Sequence, residues 1–87
     1  MGLEFVEILL SLENHFGISI SDDQLSSIHT VGNISDEITK SLIAHGEIDT
    51  SFLRTNVLNE TIQIIAKEMR LNANAIDQHS RLVGDII

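Results

Sequence analysis

The 87 residues predict an all-α fold, a small helical bundle with three main helices and one short one. Three observations carry this. Apolar residues recur at helical spacing in three separate stretches. There is no proline, and the only aromatics are three phenylalanines, which is poor material for an all-β sandwich. Cysteine is also absent, so a disulfide framework, a thiolate zinc site and a cysteine nucleophile are ruled out. The length suits one domain, 1–87, whose core is modest because so short a chain buries only about 60% of its unfolded surface.

Residues 3–16 form the first predicted helix. Phe5, Ile8, Leu9, Leu12 and Phe16 fall on one stripe at about 100° per residue, with Glu4, Glu7, Ser11 and Asn14 opposite. Leu3, Val6 and Leu10 make a second apolar strip beside the first, and Gly17 suits a left-handed cap. An extended loop then leads to a short helical turn over 22–28. Thr30 or Asn33 can cap the next helix, placed at about 31–45, with Val31, Ile34, Ile38 and Leu42 on its buried face and Gly46 ending it. Residues 46–55 read as a connector in which Phe52 and Leu53 are candidate anchors. Thr55 or Asn56 caps a third long helix at roughly 57–71, with Leu58, Ile62, Ile65 and Met69 in register. The tail has no sustained period and reads as a structured loop pinned by Ile76, Leu82, Val83 and Ile86.

Charge is lopsided. Nine acids and a single base, Lys40, lie in residues 1–50, so the first half carries the whole net charge of −8. The second half, with Arg54, Lys67, Arg70 and Arg81 against four acids, is neutral. Such a field attracts basic partners and repels nucleic acid, although acids also simply keep a small apolar domain in solution. The longest apolar run is far short of the ~20 residues a bilayer span needs. Glu4 and Glu7 stand where a secretory signal would carry bases, so a cytoplasmic location is expected.

No catalytic or metal constellation emerges. His15, His29, His45 and His79 are scattered without metal-ligand spacing, so no metal is assigned. Asp77, His79 and Ser80 contain the side-chain types of a hydrolase triad, yet they crowd into one loop where side chains diverge. Asp22 and Asp23 lack the rest of a calcium loop, and no phosphate-cradling glycine loop exists. The expectation is a protein that is not an enzyme.

Residues 3–38, LEFVEILLSLENHFGISISDDQLSSIHTVGNISDEI, resemble the second half of an acyl carrier protein. That pattern is Asp-Ser-Leu, an acidic–apolar helix ending Leu-Glu-x-x-Phe-Gly-Ile, an acid-bearing extended segment, a short helix and a Thr-Val helix start. Leu12, Glu13, Phe16, Gly17, Ile18, Ile20, Asp22, Thr30 and Val31 carry the match. Residues 62–86 resemble the family's first helix and the loop after it, through Ile64, Ile65, Glu68, Met69, Leu71, Ile76 and the run Leu82 to Ile86. The resemblance therefore implies a permuted order. Residues 1–45 stand for the family's second to fourth helices, 46–55 for a new connector, and 56–87 for the first helix and its loop. A ten-residue connector reaches up to roughly 33 Å, ample for joining neighbouring ends. A second arrangement, in which 57–87 docks on another chain, gives a swapped homodimer instead of a monomer.

In the family a serine bears 4′-phosphopantetheine. Here Gly2 stands at that position and Met1 at the preceding Asp, so the resemblance implies a chain with no cofactor-binding residue and no attached group. Ser11, more than two turns along, is not assigned the arm. The resemblance also implies that Leu3, Glu4, Val6, Glu7 and Leu10 form a partner-binding face for basic surfaces of acyl-chain-processing enzymes. The competing reading has Val6 and Leu10 packed beneath the connector. The implied function is a non-catalytic carrier or partner-binding module of fatty-acid or polyketide-type biosynthesis. The alternative is a serine-less interaction domain of carrier fold, or a permuted or domain-swapped chain, with no acyl cargo.

Overall fold

A computed structural model describes residues 3–87; the readings placed on Met1 and Gly2 lie outside the described residues. The all-α bundle expected from the periodicity is what forms. Helix α1 spans Leu3–Phe16 and buries Phe5, Ile8 and Leu12, with Leu9 and Phe16 packed on the core's margin. Gly17, at φ 69°, ends it in the left-handed region that a Cβ disfavours. The amides of Gly17 and Ile18 both donate to the Glu13 carbonyl, and the Glu13 carboxylate accepts the Ile20 amide at 2.7 Å. Glu13 thus shapes the turn out of α1 with both its backbone and its side chain.

Helix α2, Asp22–Leu25, is a single turn held by a capping box between Ser21 and Gln24. Helix α3, Val31–Ala44, opens on a second capping box, in which Thr30 accepts from the Asn33 amide while the Asn33 side chain accepts from Thr30. Both residues proposed as caps from the sequence act together. Val31, Ile34 and Ile38 are fully buried, and Leu42 lies at the margin.

Helix α4, Ser51–Met69, differs from expectation at its start. It begins six residues before position 57, capped by Thr50, whose hydroxyl accepts the Leu53 amide at 3.0 Å. Half of the supposed connector is therefore helix. Phe52, a candidate anchor, stays 75% exposed, while Leu53 does pack against the core. The buried residues of α4 are Val57, Thr61, Ile65 and Ala66; Leu58, Ile62 and Met69 flank them. Thr61 is accommodated because its hydroxyl donates to the Val57 carbonyl at 2.7 Å, leaving no buried donor unpaired.

Helix α4 packs against both α3 and α1. Its direction relative to α1 follows from two cross-links: Ser11 donates to Glu68, and His15 meets Glu60 at 2.9 Å. Moving forward along α1 means moving backward along α4, so the pair is antiparallel.

A 3₁₀ turn at Ala73–Ala75 leads into the tail, which is structured as expected. Ile76, Leu82 and Ile86 are buried, but Val83 projects outward at 67% exposure and pins nothing. The tail lies as a strap across the start of α3. The Val31 amide donates to Ser80, Gly32 to Gln78, and Leu82 in return to His29, at 2.9–3.0 Å. The strap's carbonyls thereby satisfy two of the amides that every helix leaves open at its N-terminus. The radius of gyration, 12.0 Å, matches the roughly 12 Å expected of a compact chain this long.

Candidate functional site

Helix α1 has two apolar faces with different fates. One stripe enters the core. The other, Leu3, Val6 and Leu10, remains 75%, 48% and 53% exposed, interleaved with exposed Glu4 and Glu7. Spacings of three and four residues gather these five side chains on one side of the helix. Val6 and Leu10 stay about half exposed, and within residues 46–55 Ile48 and Phe52 also face water while Leu53 packs on the core. The result is an open surface of aliphatic groups bordered by negative charge. Such a surface can take up a partner that supplies Lys or Arg at its rim and an apolar depression at its centre.

An open cleft of about 520 Å³ lies beside the first turn of α1. Phe5, Leu25, Ile28, Leu82 and Val83 line it together with His29 and Arg81. It forms where the start of α1, the turn after α2 and the tail converge. No local pattern announces such a meeting. The available signal was the pairing of Arg81 with the apolar Leu82–Val83 step in a tail already expected to pack.

Arg81 is tied to Asp85 chiefly through its backbone: the Arg81 amide donates to the Asp85 carboxylate at 2.8 Å, while the guanidinium Nε lies 3.5 Å away. The amide bond, helped by the guanidinium, holds the Asp85 carboxyl below the usual carboxylate range. Elsewhere on the surface, Arg54 donates twice to Asp49, at 2.8 and 3.0 Å. These bonds lower the Asp49 carboxyl and raise the guanidinium. A smaller hollow of about 260 Å³ between α3, α4 and the strap is lined by Gly32, Asp36, Arg54, Leu58 and Gln78, among others.

Asp77, His79 and Ser80 are engaged with the backbone of their own turn. The Asp77 carboxylate accepts the His79 amide at 2.7 Å, and the Ser80 hydroxyl accepts the Asp77 amide at 3.0 Å. No hydrogen bond joins His79 to Ser80 among the described residues, so the order needed for proton relay is not formed. Among the described residues, no three His, Asp or Glu side chains converge as metal ligands. No described helix is long and apolar enough to cross a membrane.

The architecture and the two-faced α1 define a small acidic helical bundle with an exposed apolar and acidic face on α1. Among curated proteins, the acyl carrier proteins of two strains of Porphyromonas gingivalis are similar to this chain, each 45% identical over 41 residues. That stretch is 47% of this chain and 53% of the relative, so the chain spans about half the length of the curated relatives it matches. No family model matches the sequence, and no solved structure matches it. The similarity supports an acyl-carrier-like relationship, to a family whose members carry acyl groups and do not act as catalysts themselves.

Attachment of the family's phosphopantetheine needs a side-chain hydroxyl. The one hydroxyl on α1 belongs to Ser11. Its hydroxyl donates to Glu68 on α4.

Proposed function

We propose that this chain is a carrier-like, partner-binding module of fatty-acid or polyketide-type biosynthesis that works without a phosphopantetheine arm. The observation that supports it best is the face of α1 carrying Leu3, Glu4, Val6, Glu7 and Leu10, left open although the same helix fills the core with its other side. On this reading, Glu4 and Glu7 draw in Lys and Arg on acyl-chain-processing enzymes, and the three aliphatic groups seat in an apolar depression. Residues 1–45 supply the equivalent of the family's last three helices, and 56–87 its first helix and loop, in permuted order. The antiparallel packing of α4 on α1 of the same chain, through Ser11–Glu68 and His15–Glu60, favours the monomeric arrangement over the swapped dimer.

Incubation with a phosphopantetheinyl transferase and coenzyme A, followed by intact mass measurement, tests the central claim. The expected result is an unchanged mass. Stoichiometric gain of the phosphopantetheine mass would overturn the armless reading, and peptide mapping would show which hydroxyl took it.

A further inference from the structure

We infer that the hollow between α3, α4 and the tail strap receives the primary ammonium of a lysine side chain from a protein partner, with Ser35 and Asp36 as its recognition groups. Its lining comes from α3, α4 and the strap, so it is a second contact apart from the α1 face and does not draw on the armless reading.

Three features carry the inference. The first is Ser35, a side chain only 5% exposed. Its hydroxyl makes no hydrogen bond among the described residues; the bond from Thr39 goes to the Ser35 carbonyl instead. Yet no fully buried side-chain oxygen or nitrogen among the described residues is left without a partner. The hydroxyl must therefore reach the outside through the little surface that Ser35 retains, and Ser35 borders the hollow. A polar atom so nearly buried favours whatever can enter and bond to it.

The second feature is size. At about 260 Å³ the hollow falls below the roughly 300 Å³ at which small-molecule sites usually begin, so it suits one side chain rather than a whole ligand. Half-buried Leu58 offers an apolar wall to a methylene stem.

The third is charge. Arg54 is already engaged, donating to both carboxylate oxygens of Asp49 at 2.8 and 3.0 Å. Asp36 lines the hollow and acts electrostatically on the same guanidinium, which makes their charged groups neighbours. Asp36 forms no ion pair among the described residues. Two carboxylates against one guanidinium leave a single uncompensated negative charge, in a chain whose net charge is −8, so the entering group is a cation. A compact ammonium with three donors suits acceptors on two different residues, whereas a planar guanidinium favours a two-point carboxylate.

The test is a titration of the uniformly ¹⁵N-labelled chain at pH 7 with Nα-acetyl-lysine N-methylamide, and in parallel with its norleucine counterpart, which has the stem without the ammonium. The lysine compound is expected to give saturable shifts at Gly32, Ser35, Asp36 and Leu58 with a Kd on the order of 1–10 mM, and the norleucine compound none that saturate. D36N should weaken binding about five- to tenfold. S35A should weaken it about two- to fivefold while leaving the urea midpoint unchanged or raised, because an unpaired hydroxyl adds nothing to stability and alanine is the better helix former. L10S should bind the lysine compound as the parent does, which separates this site from docking on α1. Equal binding of the two compounds, or undiminished binding by D36N, would overturn ammonium recognition. A lowered midpoint in S35A would mean that its hydroxyl is bonded within the fold and would overturn its role. Saturable shifts confined to residues 3–10, or no saturation, would overturn the site.

Discussion

Gly32 shows how one missing side chain permits a contact between distant parts of the chain. A Cβ placed there would lie 2.8 Å from the Gln78 carbonyl oxygen, the same atom that accepts the Gly32 amide. The obstacle is backbone, so Gly32→Ala must displace the strap or the helix start, an overpacking cost of about 1–3 kcal/mol. Urea unfolding should show a lower midpoint at unchanged slope. An alanine variant as stable as the parent would mean the strap is not seated as described. Thr30 presents the milder case. Removing its hydroxyl leaves the Asn33 amide uncapped, and Thr30→Ala should lose about 1 kcal/mol in the same assay.

Among the helices, α1 divides its work between its faces, and paired substitutions separate them. Ile8 is fully buried, so Ile8→Ala should cost about 2–5 kcal/mol through lost burial and the cavity left behind. Leu10 is half exposed, so Leu10→Ser should stay within about 0.5 kcal/mol of the parent in urea midpoint. If the α1 face docks on basic enzymes, L10S should nevertheless weaken that association, read by calorimetry, while I8A at permissive temperature should not alter its salt dependence. For α4, a narrow stripe through Leu58, Ile62, Ile65 and Met69 was the natural reading of its spacing. The helix instead serves two neighbours, α1 and α3, which widens its buried arc and turns Val57 and Thr61 inward. Its early start reflects Thr50, a capping residue hidden inside a stretch whose Gly, Asp and Thr content resembles a loop.

At the scale of the molecule, the charge of −8 sits on a chain of 87 residues, and self-repulsion opposes compaction. Added salt should therefore raise the urea midpoint, most steeply up to about 0.15 M, where the screening length has fallen to about 8 Å. Acid adds a separate effect. Asp49 and Asp85 have folded-state carboxyls below their ordinary value of 3.8, so the unfolded chain takes up their protons first. Their contribution is complete well above pH 3.8 and is lost as the pH falls below it toward the lower folded values. Both are exposed, so the effect is small, and D85N should flatten the acid limb of stability against pH only slightly. A steeper acid limb in D85N would contradict the assigned direction.

The amino-acid pattern alone determined the all-α class, the core stripes of α1 and α3, Thr30 and Asn33 as alternative caps of α3, the glycine stop after α1 and a second apolar strip on α1. Each is a matter of local spacing or local cap chemistry, which neighbours within a few residues decide. The tertiary structure decided what depends on residues far apart. It set the strap's hydrogen bonds to the start of α3, the outward turn of Val83 and Phe52, the inward turn of Thr61, and the meeting of Phe5, Ile28, Arg81 and Leu82 around one cleft. Periodicity tells which side chains need burial, but only the assembled neighbours determine which of them find it.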